Sequence, residues 1–150
     1  MPEFSCIPLT RAQILAEIPF LLSLLADTAN GYVTAMFGWG FYSYNKYKKL
    51  TIPLPKLTAW VAACVESGIF EPGEDDLYIW DGEERLNVHF YHEAGINITT
   101  THKALIERFV ERWLSKGFPI IRQDGDPPTS LTWHTVQSVA DAVAFPATAE

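Results

Sequence analysis

Basic residues are scarce in this chain. Eleven Lys and Arg stand against eighteen Asp and Glu, a formal charge of −7 at neutral pH. That balance gives no bulk electrostatic footprint for nucleic acid and disfavours an anionic membrane surface. Cysteine is scarcer still: Cys6 and Cys64 are the only two, too few for a disulfide framework, so a reducing, cytoplasmic setting is expected. No long hydrophobic run exists. The most apolar stretch, 14–26, is interrupted by Glu17, Pro19 and Ser23 and is too short to span a bilayer. Residues 1–10 lack a basic segment followed by an apolar one, so no targeting peptide is expected. Catalytic signatures are missing as well: there is no GxSxG elbow, no P-loop and no GxGxxG turn. No cofactor is expected.

What is present is the material of a packed core. With 150 residues, 48% of them hydrophobic, the chain can fold as a single domain over 1–150 without disulfide or metal staples, leaving 146–150 as a loose tail. Thr10 and Gln13 have capping-box spacing, and Ile14, Leu15, Ile18, Leu22 and Leu25 follow at helical spacing. Pro19 predicts a kink, or two short helices meeting at that point. Leu21 to Leu25 matches the LxxLL pattern of docking helices, which a leucine-rich core helix also produces. A second helix is predicted over 55–67, with Leu57, Trp60, Val61, Cys64 and Val65 on one face and Gly68 just past its end. Cys64 lies in that apolar face and reads as core, not nucleophile. A third spans 103–116, with Leu105, Ile106, Phe109, Val110, Trp113 and Leu114 as its apolar stripe. Val136 to Val143 predicts a last helix.

Strand signals centre on a hairpin over 77–92. Leu77–Trp80 and Arg85–His92 flank the turn residues 81–84, and Leu86, Val88 and Phe90 alternate with Asn87, His89 and Tyr91. Ile96 and Ile98 continue the alternation in a third strand, and 120–122 offers another. The aromatic stretch 32–47 reads as strands at 32–37 and 41–45, although a helix is compatible with its imperfect alternation. The expected fold is therefore α+β: a small, mainly antiparallel sheet with a central hairpin, packed on one face by three to four helices.

Candidate chemistry is thin. The run His89-Phe90-Tyr91-His92-Glu93 invites a metal reading, but residues three apart on a regular strand point to opposite faces, and Ile96 stands where an HExxH motif needs its second histidine. No metal site is assigned. His89 and Tyr91 share a face and, with His134, are the candidate lining of a small-molecule or hydrolase-like pocket. Acids are concentrated elsewhere: Glu71, Glu74, Asp75, Asp76, Asp81, Glu83 and Glu84 fall within 14 residues with no Lys or Arg among them. The strand 77–80 splits them into two groups, roughly 13 Å apart. Tyr78 and Trp80 alternate with Leu77 and Ile79 on that strand. Aromatic anchors rimmed by charge are how tight interfaces are commonly built.

The leading expectation is a non-enzymatic module that binds a basic protein partner through Asp75, Asp76, Tyr78, Trp80, Glu83 and Glu84. Its concrete form is a small acidic inhibitor, such as an immunity protein that neutralises a toxin. The alternatives are an enzyme or ligand-binding domain using His89, Tyr91 and His134, and a structural homo-oligomer burying Trp39 and Phe41. Tyr42, Tyr44, Lys46, Tyr47, Lys48 and Lys49 mix base-stacking with phosphate-contacting types, but they form only a weak patch for nucleic acid.

Overall fold

The computed structural model describes residues 2–40, 46–83, 85–124 and 133–144. The expected strand at 41–45, the acid Glu84 and the tail 146–150 lie outside the described residues. The chain runs β1 (Glu3–Cys6), α1 (Arg11–Thr28), β2 (Tyr32–Phe37), β3 (Leu50–Pro53), a 3-10 turn (Leu54–Lys56), α2 (Leu57–Glu66), β4 (Leu77–Asp81), β5 (Leu86–Tyr91), β6 (Gly95–Thr100), α3 (Lys103–Ser115), β7 (Ile120–Gln123), β8 (Trp133–Thr135) and α4 (Val139–Val143). All eight strands join one antiparallel sheet in the order β3-β2-β4-β5-β6-β1-β7-β8. The fold is α+β, with the β4–β5 hairpin near the middle of the sheet.

The sheet is wider than its strand signals foretell, because three of its members are very short. β1, β3 and β8 have four, four and three residues. Such segments leave little room for alternation to register. β1 inserts between β6 and β7, pairing Glu3 with Thr99 on one side and with Gln123 on the other. The outer strands are short, and β3 ends in Pro53, which blunts edge-to-edge association.

Alternation sorts the sheet into two faces. Phe4, Cys6, Val33, Ala35, Leu77, Ile79, Leu86, Val88, Phe90, Ile96 and Ile98 are fully buried and share one cluster with the helices. From α3 come Leu105, Ile106, Phe109, Val110 and Trp113, and Phe109 meets Phe4 edge-on at 5.2 Å. α1 contributes Leu21, Leu24 and Leu25, so its LxxLL pattern is spent on the core. The Thr10 capping box is present, with Gln13 and Thr10 bonded reciprocally. Pro19 does not divide the helix: α1 is continuous from Arg11 to Thr28, with Pro19 on its exposed side, where a lost backbone bond is open to water. Gly68 takes φ +79° directly after α2, and the Phe70 N–H returns to the Cys64 carbonyl at 3.1 Å. Cys6 and Cys64 are both buried thiols, and burial pushes Cys6 up to about 12.

One buried ion pair ties α1 to α3. Glu17 is fully buried and accepts two hydrogen bonds from Arg112, at 2.9 and 3.0 Å, and one from the Trp113 indole at 2.8 Å. Lys116 lies 3.4 Å from its other oxygen. Burial alone would raise the Glu17 carboxyl, but these bonds and charges hold it below the ordinary 4.5. No helix among the described residues is long and apolar enough to cross a membrane.

Candidate functional site

The second face of the sheet carries the chemistry. Strand register sets its side chains in rows, one running Met36, Tyr78, His89, Asn97, Ser5, Ile121 from β2 to β7. Among the described residues no helix packs on this side, since every helix contributes to the cluster on the other.

His89 stands at the centre of the row. Its ring stacks on Tyr78 with centroids 4.0 Å apart and planes 14° from parallel. The Asn97 amide nitrogen lies 3.3 Å from Nδ1, so that atom accepts and the ring proton sits on Nε2. Nε2 is 3.1 Å from Asp76 Oδ1, within ion-pairing reach but out of line for a hydrogen bond. The same Oδ1 accepts from the His92 backbone N–H at 2.8 Å and lies 3.0 Å from His92 Nδ1. Two histidines thus converge on one carboxylate oxygen. Strand parity had placed them on opposite faces; the correction is that β5 ends at Tyr91, and His92 belongs to the turn through Ala94, whose φ is +60°. The turn folds the second ring back beside the first. Trp39 closes the end of the group at 5.4 Å from the His92 ring.

Electrostatics follow from this packing. Burial would raise Asp76, but the two hydrogen bonds from His92 and the contact with His89 hold it below its ordinary 3.8. Burial lowers His89, with Asp76 opposing the shift and His92 adding to it. Burial and the Asp76 charge push Tyr78 up to about 12. His89 is therefore expected to titrate below the ordinary 6.5, and Asp76→Asn to lower it further by removing the opposing charge. An NMR titration of the imidazole C2 proton reads both, and a wild-type midpoint above that of a free imidazole contradicts the assignment.

Several residues of the acidic run and of strand β4 make contacts within the fold. Asp76 is 5% exposed and engaged by both histidines, so it is not a surface charge. Asp75 is half-buried and accepts from the Glu71 backbone N–H at 2.7 Å. Asp81 is fully buried and holds the hairpin turn, its Oδ1 accepting from Arg85 N at 2.7 Å and Leu86 N at 3.4 Å. Glu83 is exposed. Tyr78 and Trp80 are half-buried on the second face, and the Lys49 ammonium lies 5.7 Å above the Trp80 ring. His89 and Tyr91 are neighbours, ring centroids 5.5 Å apart. His134 does not join them. It pairs with Arg122 on β8, four strands from β5 and roughly 19 Å away, and that register position is on the helix side of the sheet.

Beside the histidine group lies a cleft of about 360 Å3 whose lining includes Glu3, Ser5, Tyr91, Glu93, Asn97 and Trp133. Glu3, Ser5 and Trp133 belong to strands absent from the sequence expectations, which is why reasoning from sequence missed them. In hindsight the alternation Glu3-Phe4-Ser5-Cys6 was the available signal. Gly95 borders the cleft: a Cβ there would lie 3.0 Å from Ile7 Cβ, tighter than ordinary contact, so Ile7 would have to give way. A second cleft, about 300 Å3 between α1 and α2, is lined mainly by aliphatic side chains such as Leu15, Leu22 and Val61. Among the described residues no three His, Cys, Asp or Glu side chains are arranged to hold a metal ion. Comparison with known proteins finds no family model, no curated protein and no solved structure that matches this chain.

Proposed function

We propose that this protein is a binding module that presents the second face of its sheet to a basic protein partner, and that its concrete form is an inhibitor of that partner. The observation that carries the reading is the placement of its exposed aromatics. Among the described residues the exposed large hydrophobic side chains are Tyr32, Trp39, Tyr47, Ile69 and Trp133. Tyr32 and Trp133 hold register positions on the second face, and Trp39 and Tyr47 come from the β2–β3 connection beside the histidine group. Tyrosine and tryptophan are enriched where interfaces bury them, and leaving four of them in water on one side of a sheet is costly for a chain with no partner. Seven strand spacings by five residues give a face of about 34 by 17 Å, a fair part of one side of an ordinary interface.

Charge selects the partner. At −7 the chain repels a second copy of itself and attracts a basic protein. The lysines at one end of the face are already set over aromatic rings, Lys46 at 5.5 Å from both Trp39 and Tyr47. Catalysis is less well supported. The two His89 nitrogens face Asp76 and Asn97, so neither is turned toward the cleft to take a substrate proton.

The test is affinity capture from the source cell at low salt, followed by a salt gradient. A partner of high isoelectric point should be released by salt. It should be lost with the paired change Trp39→Ala and Trp133→Ala, and kept with Lys103→Ala on the helix side. Binding that ignores the two tryptophans, or a partner held equally at all salt concentrations, refutes the reading.

A further inference from the structure

We infer that the cleft lined by Glu3, Tyr91, Glu93 and Trp133 is the seat of an arginine side chain of that basic partner, its guanidinium paired with the Glu3 carboxylate; this rests on the binding reading above. Four observations carry it. The cleft, about 360 Å3, can admit one long side chain. Its walls combine two rings and two carboxylates, the pair of features that a planar cation satisfies together: it stacks on the rings and donates in its plane to the carboxylates. Tyr91 already donates to Glu93 Oε2 at 3.2 Å, which turns that carboxylate toward the ring and leaves Oε1 to a ligand.

Glu3 is the fourth. It sits on β1 in the middle of the sheet, half-buried, with no Lys, Arg or His among the described residues within ion-pairing distance. Among the described residues four carboxylates are matched by arginine: Glu17 by Arg112, Asp27 by Arg108, Glu71 by Arg11, Asp124 by Arg122. Burial pushes Glu3 above the ordinary 4.5. A half-buried carboxylate with no counter-charge among the described residues, facing a cleft lined with aromatics, is a cost that an incoming cation removes. Arginine fits better than lysine because its fork can meet both oxygens of one carboxylate and its flat face suits an aromatic wall.

The probe is N-acetyl-arginine amide, with N-acetyl-citrulline amide as its uncharged isostere, titrated into the isotope-labelled full chain. Saturable shifts are expected at the Trp133 indole N–H and around Tyr91 and Asn97, absent with citrulline. Glu3→Gln with Glu93→Gln should weaken the arginine response roughly tenfold or more, while Glu74→Gln on the acidic loop leaves it unchanged. Equal responses to arginine and citrulline, no saturable shift, or full binding by the doubly neutralised chain overturns the assignment. Both substitutions are near-isosteric, and an unchanged amide spectrum elsewhere in the sheet separates lost binding from lost folding. The two ideas fail separately. A chain with no protein partner can still bind the arginine probe, and a partner can hold to the Trp39 end of the face while the cleft ignores arginine.

Discussion

Arg112→Met is expected to destabilise the protein by about 3–5 kcal/mol, the usual consequence of stripping one partner from a buried ion pair. For a chain of this size that is a fall in melting temperature of roughly 10 °C. The reason is asymmetric burial. The Glu17 side chain is wholly inaccessible, whereas Arg112 is 31% exposed. Removing the arginine leaves a carboxylate with the Trp113 indole and Lys116, which lies 3.4 Å away on the surface side. Removing the charge from the other end, by Glu17→Gln, should cost less, because the amide oxygen still accepts from Trp113 and Arg112 can turn to water. The decisive comparison is Glu17→Leu combined with Arg112→Met, which should be more stable than Arg112→Met alone despite carrying two changes. Urea unfolding measures all three. If Arg112→Met costs under about 1 kcal/mol, as an ordinary surface pair does, the pair does not hold α1 to α3. The pH dependence has a defined sign. Glu17 is depressed in the native state, so its contribution is whole above the unfolded value near 4.5 and is lost as the pH falls through its lower native value.

Asp76→Ala is the second large effect, expected to cost about 2–4 kcal/mol. One oxygen of this side chain accepts from the His92 backbone and lies against both imidazoles, so its loss strands a backbone donor and frees two rings together. Trp39, packed on His92, should gain mobility, read by its indole fluorescence anisotropy. Acid should do the same in stages. His89 is depressed, so stability present above the ordinary 6.5 is lost as pH falls through its native value, and Asp76 follows below 3.8 for the same reason. The His89→Gln variant should lack the first stage. Unchanged urea midpoints for Asp76→Ala would mean that the histidine group is an accident of proximity.

Much of the architecture could be read from local pattern. Helices α1, α2 and α3 appear within a few residues of their expected bounds because each has a wide apolar stripe and a recognisable start or stop. On β5 the division of Leu86, Val88 and Phe90 from Asn87, His89 and Tyr91 into two faces is the observed one. β1, β3 and β8 escaped notice, and with them went Glu3, Ser5 and Trp133, so the cleft could not be assembled from sequence. The acidic loop misled for a different reason: a run of carboxylates looks like a surface, yet Asp76 and Asp81 are buried because turns around them supply N–H donors that a sequence does not display.

The amino-acid sequence by itself determined the class of fold and the hairpin over 77–92, since these follow from residue periodicity and composition within short windows. Tertiary structure alone decided which charges are spent inside the fold and which face outward. Glu17 meets Arg112 across 95 residues of chain, and Glu3 lines one cleft with Tyr91 and Trp133 only because β1 threads between β6 and β7. Contacts of that range depend on strand order, which no local pattern encodes. The hairpin's two histidines show the limit most clearly: their spacing set them apart, and a turn of three residues brought them onto one oxygen.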